Sequence, residues 1–351
     1  MQWGFKFVLY VAILCITVRL VFYHRLRYKV EYVYKLPNDL RHYFVWPDEG
    51  ANSSDLVDMT TILFPVGDRP IITTRQQMEK LAPFDIKMSH GQYATIEKLI
   101  CQFEKVMISL RLQDQWFLGK NALLGSLQHH DMIPWDDGVD ICVQINHRQR
   151  VQFALRQLAP EFEMKTHNNE DLLYFKPLSD GTQLSENTLG SFPFSKTPWP
   201  FISIFYFEEV GRNLAKEFGN DLRRFNLSDV FPLTYRPFGK HWFPTPRKPI
   251  RFLKNYFPGE NFTCSSQSYS RGLSKKLEQT FMDCRKLMER YSFVQRCPIS
   301  VEGRRTNSSY FCDEYLVDSH GRTLHKIRTV LEPDEILSPL YAVKHESFNC
   351  P

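Results

Sequence analysis

The sequence predicts an α/β fold in which a mixed sheet is flanked by helices. Three observations predict it. Residues 116–143 read as strand, Gly-punctuated turn, small amphipathic helix, Pro-Trp stop, acidic turn and second strand. Residues 89–113 carry a long apolar stripe at helical spacing. The runs 161–165, 172–176 and 199–207 read as strands, the first two paired around a polar turn. With 351 residues, 43% of them hydrophobic and including 28 Phe and 16 Tyr, the chain can bury a substantial aromatic core. A net charge of only +5, without a basic tail or Arg block, argues against nucleic acid as a partner.

Taken in order, residues 1–3 are a short cytosolic tail. Residues 4–23 are apolar over the length of a bilayer span, with Lys6 and Arg19 near the ends. A cleaved signal peptide is the rival reading, but no small-x-small site follows; a basic run, residues 24–29, does. That points to an uncleaved signal anchor. The basic run taken alone favours a cytosolic C-terminal side. Four sequons beyond the span, at Asn52, Asn226, Asn261 and Asn307, oppose it, as do seven of the eight Cys. The expectation is a single-pass type II protein of the Golgi or ER membrane, with N-glycans possible at those four asparagines.

Residues 24–90 are a stem and approach, with short strands expected over 60–66 and 70–74. Ser89 and Gln92 fit a capping box for the long helix. In it, Ile96, Leu99, Ile100, Phe103, Val106, Met107 and Leu110 form the buried stripe. After residue 143 a helix is expected over 148–158. Residues 179–198 are a long Ser/Thr/Gly/Pro loop, a lid, a binding loop or simply a connection. Residues 238–243 suggest a hairpin with Gly239 and Lys240 at its tip, and Pro249 opens a short helix carrying Arg251. A further helix is expected over 274–291. The late cysteines, Cys264, Cys284, Cys297, Cys312 and Cys350, lack zinc spacing and read as disulfides of a C-terminal appendage, residues 266–351.

The chemistry concentrates at the mouth of the second strand. Val139, Ile141 and Val143 share one face, and Asp140 and Cys142 the other. Asp136 and Asp137 lie just upstream. Three carboxylates within five residues repel unless solvated or bridged by a cation, and oxygen-rich sites suit Mg²⁺ or Mn²⁺. A solvated acidic turn is the plain alternative. Lys240, Arg247, Lys248 and Arg251 form either a diphosphate clamp or a solvated basic face. His129 either orients a phosphate or moves a proton, or else caps its helix.

Two blocks resemble the LicD family, which includes fukutin and fukutin-related protein. The first is Leu123-Leu124-Gly125, His129, Ile133-Pro134-Trp135-Asp136 and Asp140; the second is Pro232-Leu233, Phe238-Gly239, Pro246, Phe252-Leu253 and Tyr256. The resemblance spans about residues 93–265, so a nucleotidyltransferase-like domain is drawn over 91–265. It implies transfer of a phospho-polyol, phospho-sugar or phosphocholine unit from a nucleotide-diphosphate donor, such as a CDP-linked polyol, to a glycan or glycoprotein. On that reading Asp136, Asp137 and Asp140 hold Mg²⁺ or Mn²⁺. Asp136, Asp140 and His129 do the chemistry, with Asp136 as base. Lys120, Gly125, Ser126, Lys240, Arg247 and Arg251 bind the donor. The sequence departs from the family at Gly138, where the first Asp of the D-x-D pair stands, and at Ser203, in the place of a third carboxylate on a later strand. The alternative is therefore a degenerate LicD-like domain that binds a glycan or a partner.

Overall fold

The computed structural model describes residues 69–166, 169–179, 184–194, 196–219, 223–257, 263–299, 310–331, 335 and 348–350. The expected anchor, the strand at 60–66 and the sequons at Asn52, Asn261 and Asn307 lie outside the described residues. Among the described residues no helix is long and apolar enough to cross a membrane.

The strand expected over 70–74 does not form. Those residues lead instead into α1 (Arg75–Glu79), opened by a Thr74/Gln77 capping box. Helix α2 (His90–Ser109) starts on the expected box: the Gln92 amide donates to Ser89 Oγ, and the Ser89 amide donates to Gln92 Oε1 at 2.9 Å. Its stripe packs into the core, where Phe103 meets Trp116 edge to face at 5.2 Å.

The central sheet runs β1-β2-β5-β4-β3. Strand β1 (Trp116–Leu118) is antiparallel to β2 (Val139–Gln144), and helix α3 (Lys120–His129) joins them. Strand β2 is parallel to β5 (Phe201–Val210), which sets Asp140 beside Ser203. On the other edge of β5 lie β4 (Glu170–Phe175) and β3 (Phe162–Thr166), an antiparallel pair preceded by α4 (Arg148–Arg156). The far end of β5 pairs with β6 (Leu214–Glu217), which pairs with β7 (Arg224–Asn226). Every residue of β1 and β2 is buried, because elements cover both faces of the sheet.

Part of that cover comes from α5 (Leu227–Val230), the hairpin β8 (Thr234–Phe238) and β9 (His241–Thr245), and α6 (Pro249–Leu253). Phe252 meets Phe117 edge to face at 5.4 Å, and Phe243 lies 6.1 Å from Trp116. The described part of the 179–198 loop packs on the start of α2: the Gly91 amide donates to the Glu186 carbonyl at 2.6 Å. An ideal Cβ on Gly91 would stand 2.6 Å from the Asn187 carbonyl carbon, so a side chain there would push this loop away.

Beyond α6 come two small ribbons. Strand β10 (Thr263–Ser265) pairs with β13 (Phe281–Asp283), and β11 (Tyr269–Ser270) with β12 (Lys275–Lys276). The helix expected over 274–291 shrinks to α7 (Cys284–Leu287). Its periodic apolar residues do not share one buried face, since Phe281 is 63% exposed while Cys284 and Leu287 are buried. The Cys264–Cys284 disulfide ties the ribbon to the start of α7. The chain then forms an antiparallel sheet of β14 (Phe293–Ile299), β15 (Tyr310–Val317) and β16 (Thr323–Leu331), braced by Cys297–Cys350. Cys312 is a buried thiol, which leaves it out of the expected disulfides.

A buried carboxylate ties this C-terminal sheet to α3 and β8. Glu314 takes Arg236 at 2.6 Å, Arg296 at 2.9 Å and His130 Nε2 at 3.1 Å. Burial works against its charge, but the two guanidiniums and His130 overrule it and hold the carboxyl well below the usual range.

Candidate functional site

Asp136, Asp137 and Asp140 do converge, and all three are buried. What meets them is a side chain from the β11–β12 ribbon. Arg271 Nη2 forms a close ion pair with Asp140 Oδ1. Asp137 Oδ2 accepts from Ser270 Oγ at 3.1 Å and from the Arg271 and Gly272 amides at 2.8 and 3.2 Å. Gln267 Nε2 bridges Asp136 Oδ1 and Asp137 Oδ1 at 2.9 and 2.7 Å. The segment 267–272 thus supplies the cation and most of the donors that the cluster needs.

The electrostatics follow from that burial. Desolvation raises Asp136 to about 6, with Asp137 and Asp140 adding to the rise and Arg271 opposing it. Asp137 is raised for the same first reason. Burial works against the charge of Arg271, but Asp140, Asp136 and Asp137 outweigh it and keep the guanidinium firmly protonated.

Gly138 explains how the arginine fits. Residues 138 and 140 lie at alternate positions leading into β2 and so share a face. An ideal Cβ on Gly138 would overlap the Arg271 guanidinium and stand 2.5 Å from its Cδ. A longer side chain at 138 and Arg271 in this pose are mutually exclusive. Across the parallel register, the partner of Asp140 is Ser203, which is uncharged. Of the three carboxylates expected of a divalent site in this fold, only Asp140 stands in place, and a guanidinium already holds it. Asp137 is saturated by four donors. Among the described residues no group of three or more His, Cys, Asp or Glu is arranged to hold a metal ion. The residues present do not fit Mg²⁺ or Mn²⁺, and Asp136 and Asp137 do not replace what Gly138 and Ser203 lack.

The other expected site residues divide between several places. Lys120, in a left-handed backbone conformation, points to Glu217 at 3.2 Å and lies over the Phe205 ring. Gly125 allows α3 to approach the following loop: a Cβ there would stand 2.8 Å from the Ile133 amide nitrogen. Ser126 is buried and donates to the Pro237 carbonyl at 2.8 Å. Both serve packing in this structure. The proposed basic clamp is not assembled. Lys240 sits at the hairpin tip, while Arg247 follows the far end of β9, and Arg251 and Lys248 face Asp229 at 3.5 and 3.6 Å.

His129 and Lys240 instead line a cavity of about 560 Å³ whose wall also includes Asp136. The cavity lies between the N-terminal part of α2, the 129–136 loop and the Leu316–Arg322 end of the C-terminal sheet. Burial lowers His129 to about 4, so its ring is neutral at physiological pH. Its Nδ1 lies 2.8 Å from the Ser292 carbonyl and so carries the proton. That leaves Nε2 as an acceptor, and it has no partner among the described residues. The helix-cap reading of His129 gives way to a buried neutral ring packed 4.5 Å from Phe293. Asp131, on the same wall, is raised to about 6 by burial, against the pull of Tyr93 and Arg69.

Residues 113–248 match the family model of the LicD/FKTN/FKRP nucleotidyltransferase domain. This stretch of the chain belongs to the LicD family. None of the curated proteins matches the chain. The LicD match covers β1, α3, β2, β5 and the β8–β9 hairpin, and it suggests a phosphotransferase-like role in glycan modification. It ends before Arg271, so the cation at the acidic cluster comes from outside the matched LicD residues.

Gln267, Ser270 and Arg271 are the site residues that sequence reasoning missed. No local pattern marks them. The one available signal was arithmetic: three crowded carboxylates with Gly138 and Ser203 beside them call for a cation, and the chain's own basic residues are the first place to look.

Proposed function

We propose that this chain serves glycan modification as a LicD-type binding module, a domain that keeps the nucleotidyltransferase scaffold without its divalent centre. The observation that carries this reading is the Arg271 guanidinium paired with Asp140, at the one position where the expected metal carboxylates survive. Gly138 and Ser203 support it from either side. The cavity beside Asp136 gives such a module a surface on which to hold a ligand, and its volume suits a small organic group.

The test is binding of the full chain to an array of neutral and acidic glycans, in EDTA and again in Mn²⁺. The expected result is retention that is equal in both and survives Asp140→Asn. Retention that requires Mn²⁺, or none on any glycan, would overturn the module.

Phosphotransfer from a nucleotide-diphosphate donor is the second reading. It is favoured by the LicD match itself and by Asp136, whose carboxyl titrates near 6 at the cavity wall, a fair position for a base. It would require a cation other than the metal at Asp140. Turnover of a cytidine diphosphate-linked polyol, lost in Asp136→Asn, would favour it over the module.

We take the chain to be a type II membrane protein of the Golgi or ER, anchored by residues 4–23. The sequons and the two disulfides favour a luminal C-terminal side. The described sequon residue, Asn226, is exposed and so accessible to a glycan. Unchanged gel mobility after glycosidase treatment would count against that topology.

A further inference from the structure

We infer that Gly138 and Arg271 are the two halves of one exchange, in which a resident guanidinium has taken the position of a divalent cation, and that reversing both halves opens a metal site. This deepens the module reading and rests on it.

The inference begins with space. An ideal Cβ on Gly138 overlaps the Arg271 guanidinium, so any carboxylate at 138 would enter the volume that the guanidinium fills. The two groups compete for one place. It continues with charge. Burial penalises Asp136 and Asp137, and a single cation beside them and Asp140 lowers that penalty whether it is a metal or an arginine. Arg271 is the nearest cation, and it is charged because these carboxylates surround it. Geometry also separates this arrangement from a chance surface contact. The ribbon carrying Arg271 is fixed to the cluster by three further donors on Asp137, from Ser270 and from the Arg271 and Gly272 amides. Trp199 Nε1 donates to the Asp137 carbonyl at 2.6 Å. An ideal Cβ on Gly272 would stand 3.2 Å from the Trp199 ring, so the ribbon lies flush against that wall. The guanidinium is held by its backbone, not by one flexible contact.

One polar atom marks the substitution as imperfect. Arg271 Nη1, the atom nearest to the missing side chain of residue 138, is buried and has no hydrogen-bond partner among the described residues. A Cβ at 138 would overlap that atom. The chain carries glycine instead, the residue that leaves room for the guanidinium. With Arg271 shortened and an aspartate at 138, residues 138 and 140 would present two carboxylates on one face, beside Asp136 and Asp137. That oxygen-rich set is of the kind that Mg²⁺ and Mn²⁺ take.

The experiment compares melting temperatures of the full chain with and without about 1 mM Mn²⁺, in the wild type, Gly138→Asp, Arg271→Ala and the Gly138→Asp/Arg271→Ala double variant. The double variant is expected to gain about 5 °C or more with Mn²⁺, and the wild type and Gly138→Asp to gain nothing. An equal Mn²⁺ shift in the wild type overturns the inference, as does a folded double variant that ignores the metal. Should the double variant not fold, Gly138→Ala decides. It is expected to lower the melting temperature in the wild type and to leave it unchanged in the Arg271→Ala background. Equal losses in both backgrounds overturn the exchange. Metal-independent phosphotransfer by the wild type would defeat the module reading and leave the exchange of Gly138 and Arg271 standing.

Discussion

Removing Arg271 should destabilise the domain in a pH-dependent way. Arg271→Ala strips the guanidinium from a cluster in which Asp136, Asp137 and Asp140 are all buried. Taking one partner from a buried ion pair typically costs about 3–5 kcal/mol. The sign of the pH dependence follows from the direction of the shifts. Asp136 titrates near 6 in the folded chain and near the ordinary carboxylate value when unfolded. Between those two values the folded state binds more protons than the unfolded state. Stability therefore falls as pH rises through the window, by about 3 kcal/mol for a shift of about two units. Arg271 opposes the rise at both Asp136 and Asp137. Without it both carboxyls move further up, and the decline continues above pH 6. Urea unfolding at pH 5.0 and 7.5 measures the effect. The expected loss is about 3–5 kcal/mol at pH 7.5 and roughly half that at pH 5.0, where the carboxyls can take up protons. A loss below about 1 kcal/mol at pH 7.5, or an equal loss at both pH values, would refute the assigned role.

Glu314→Ala leaves Arg236 and Arg296 buried without their carboxylate and should cost about 3–5 kcal/mol. Hydrogen exchange would show β14–β16 losing protection before β1 and β2; uniform loss would argue against a docking role. Replacing Cys264 and Cys284 by Ser opens a loop with a sequence separation of 20 and should cost about 3 kcal/mol in chemical denaturation. A change within error would mean that the ribbon is held by packing alone. Asp131→Asn removes a carboxyl raised to about 6, so the fall in stability between about pH 4 and 6 should become shallower. An unchanged pH profile would contradict the burial assigned to Asp131.

Local signals were legible in the sequence where the chemistry is local. The Ser89/Gln92 box, the β3–β4 pair, the β8–β9 hairpin and the Pro249 turn each rest on residues within a few positions of one another. The same logic would have found α1, since Thr74 and Gln77 form the box that the 70–74 strand reading passed over. The resemblance put Ser203 in the place of a third carboxylate, and the parallel pairing of β2 with β5 is what sets it beside Asp140. The 274–291 helix failed for a physical reason. Apolar periodicity does not distinguish residues that share one face from residues pulled apart by a disulfide and two ribbons. Arg271 was the hardest to see. It reaches Asp140 across 131 positions, from a ribbon beyond the LicD-like stretch, and its role depends on a side chain that Gly138 does not have. The basic clamp misled because Lys240 and Arg247 are close in sequence, yet a β-strand of five residues holds them apart.

Manganese electron paramagnetic resonance on the wild-type chain, with cytidine diphosphate present, tests most directly whether a guanidinium stands where a metal would be. The free-ion signal should persist at micromolar Mn²⁺, with or without the nucleotide, and Asp140→Ala should leave it unchanged. Loss of the free-ion signal on adding nucleotide, restored by Asp140→Ala, would mean that Arg271 yields its place to a divalent cation and that the domain retains a metal-dependent centre.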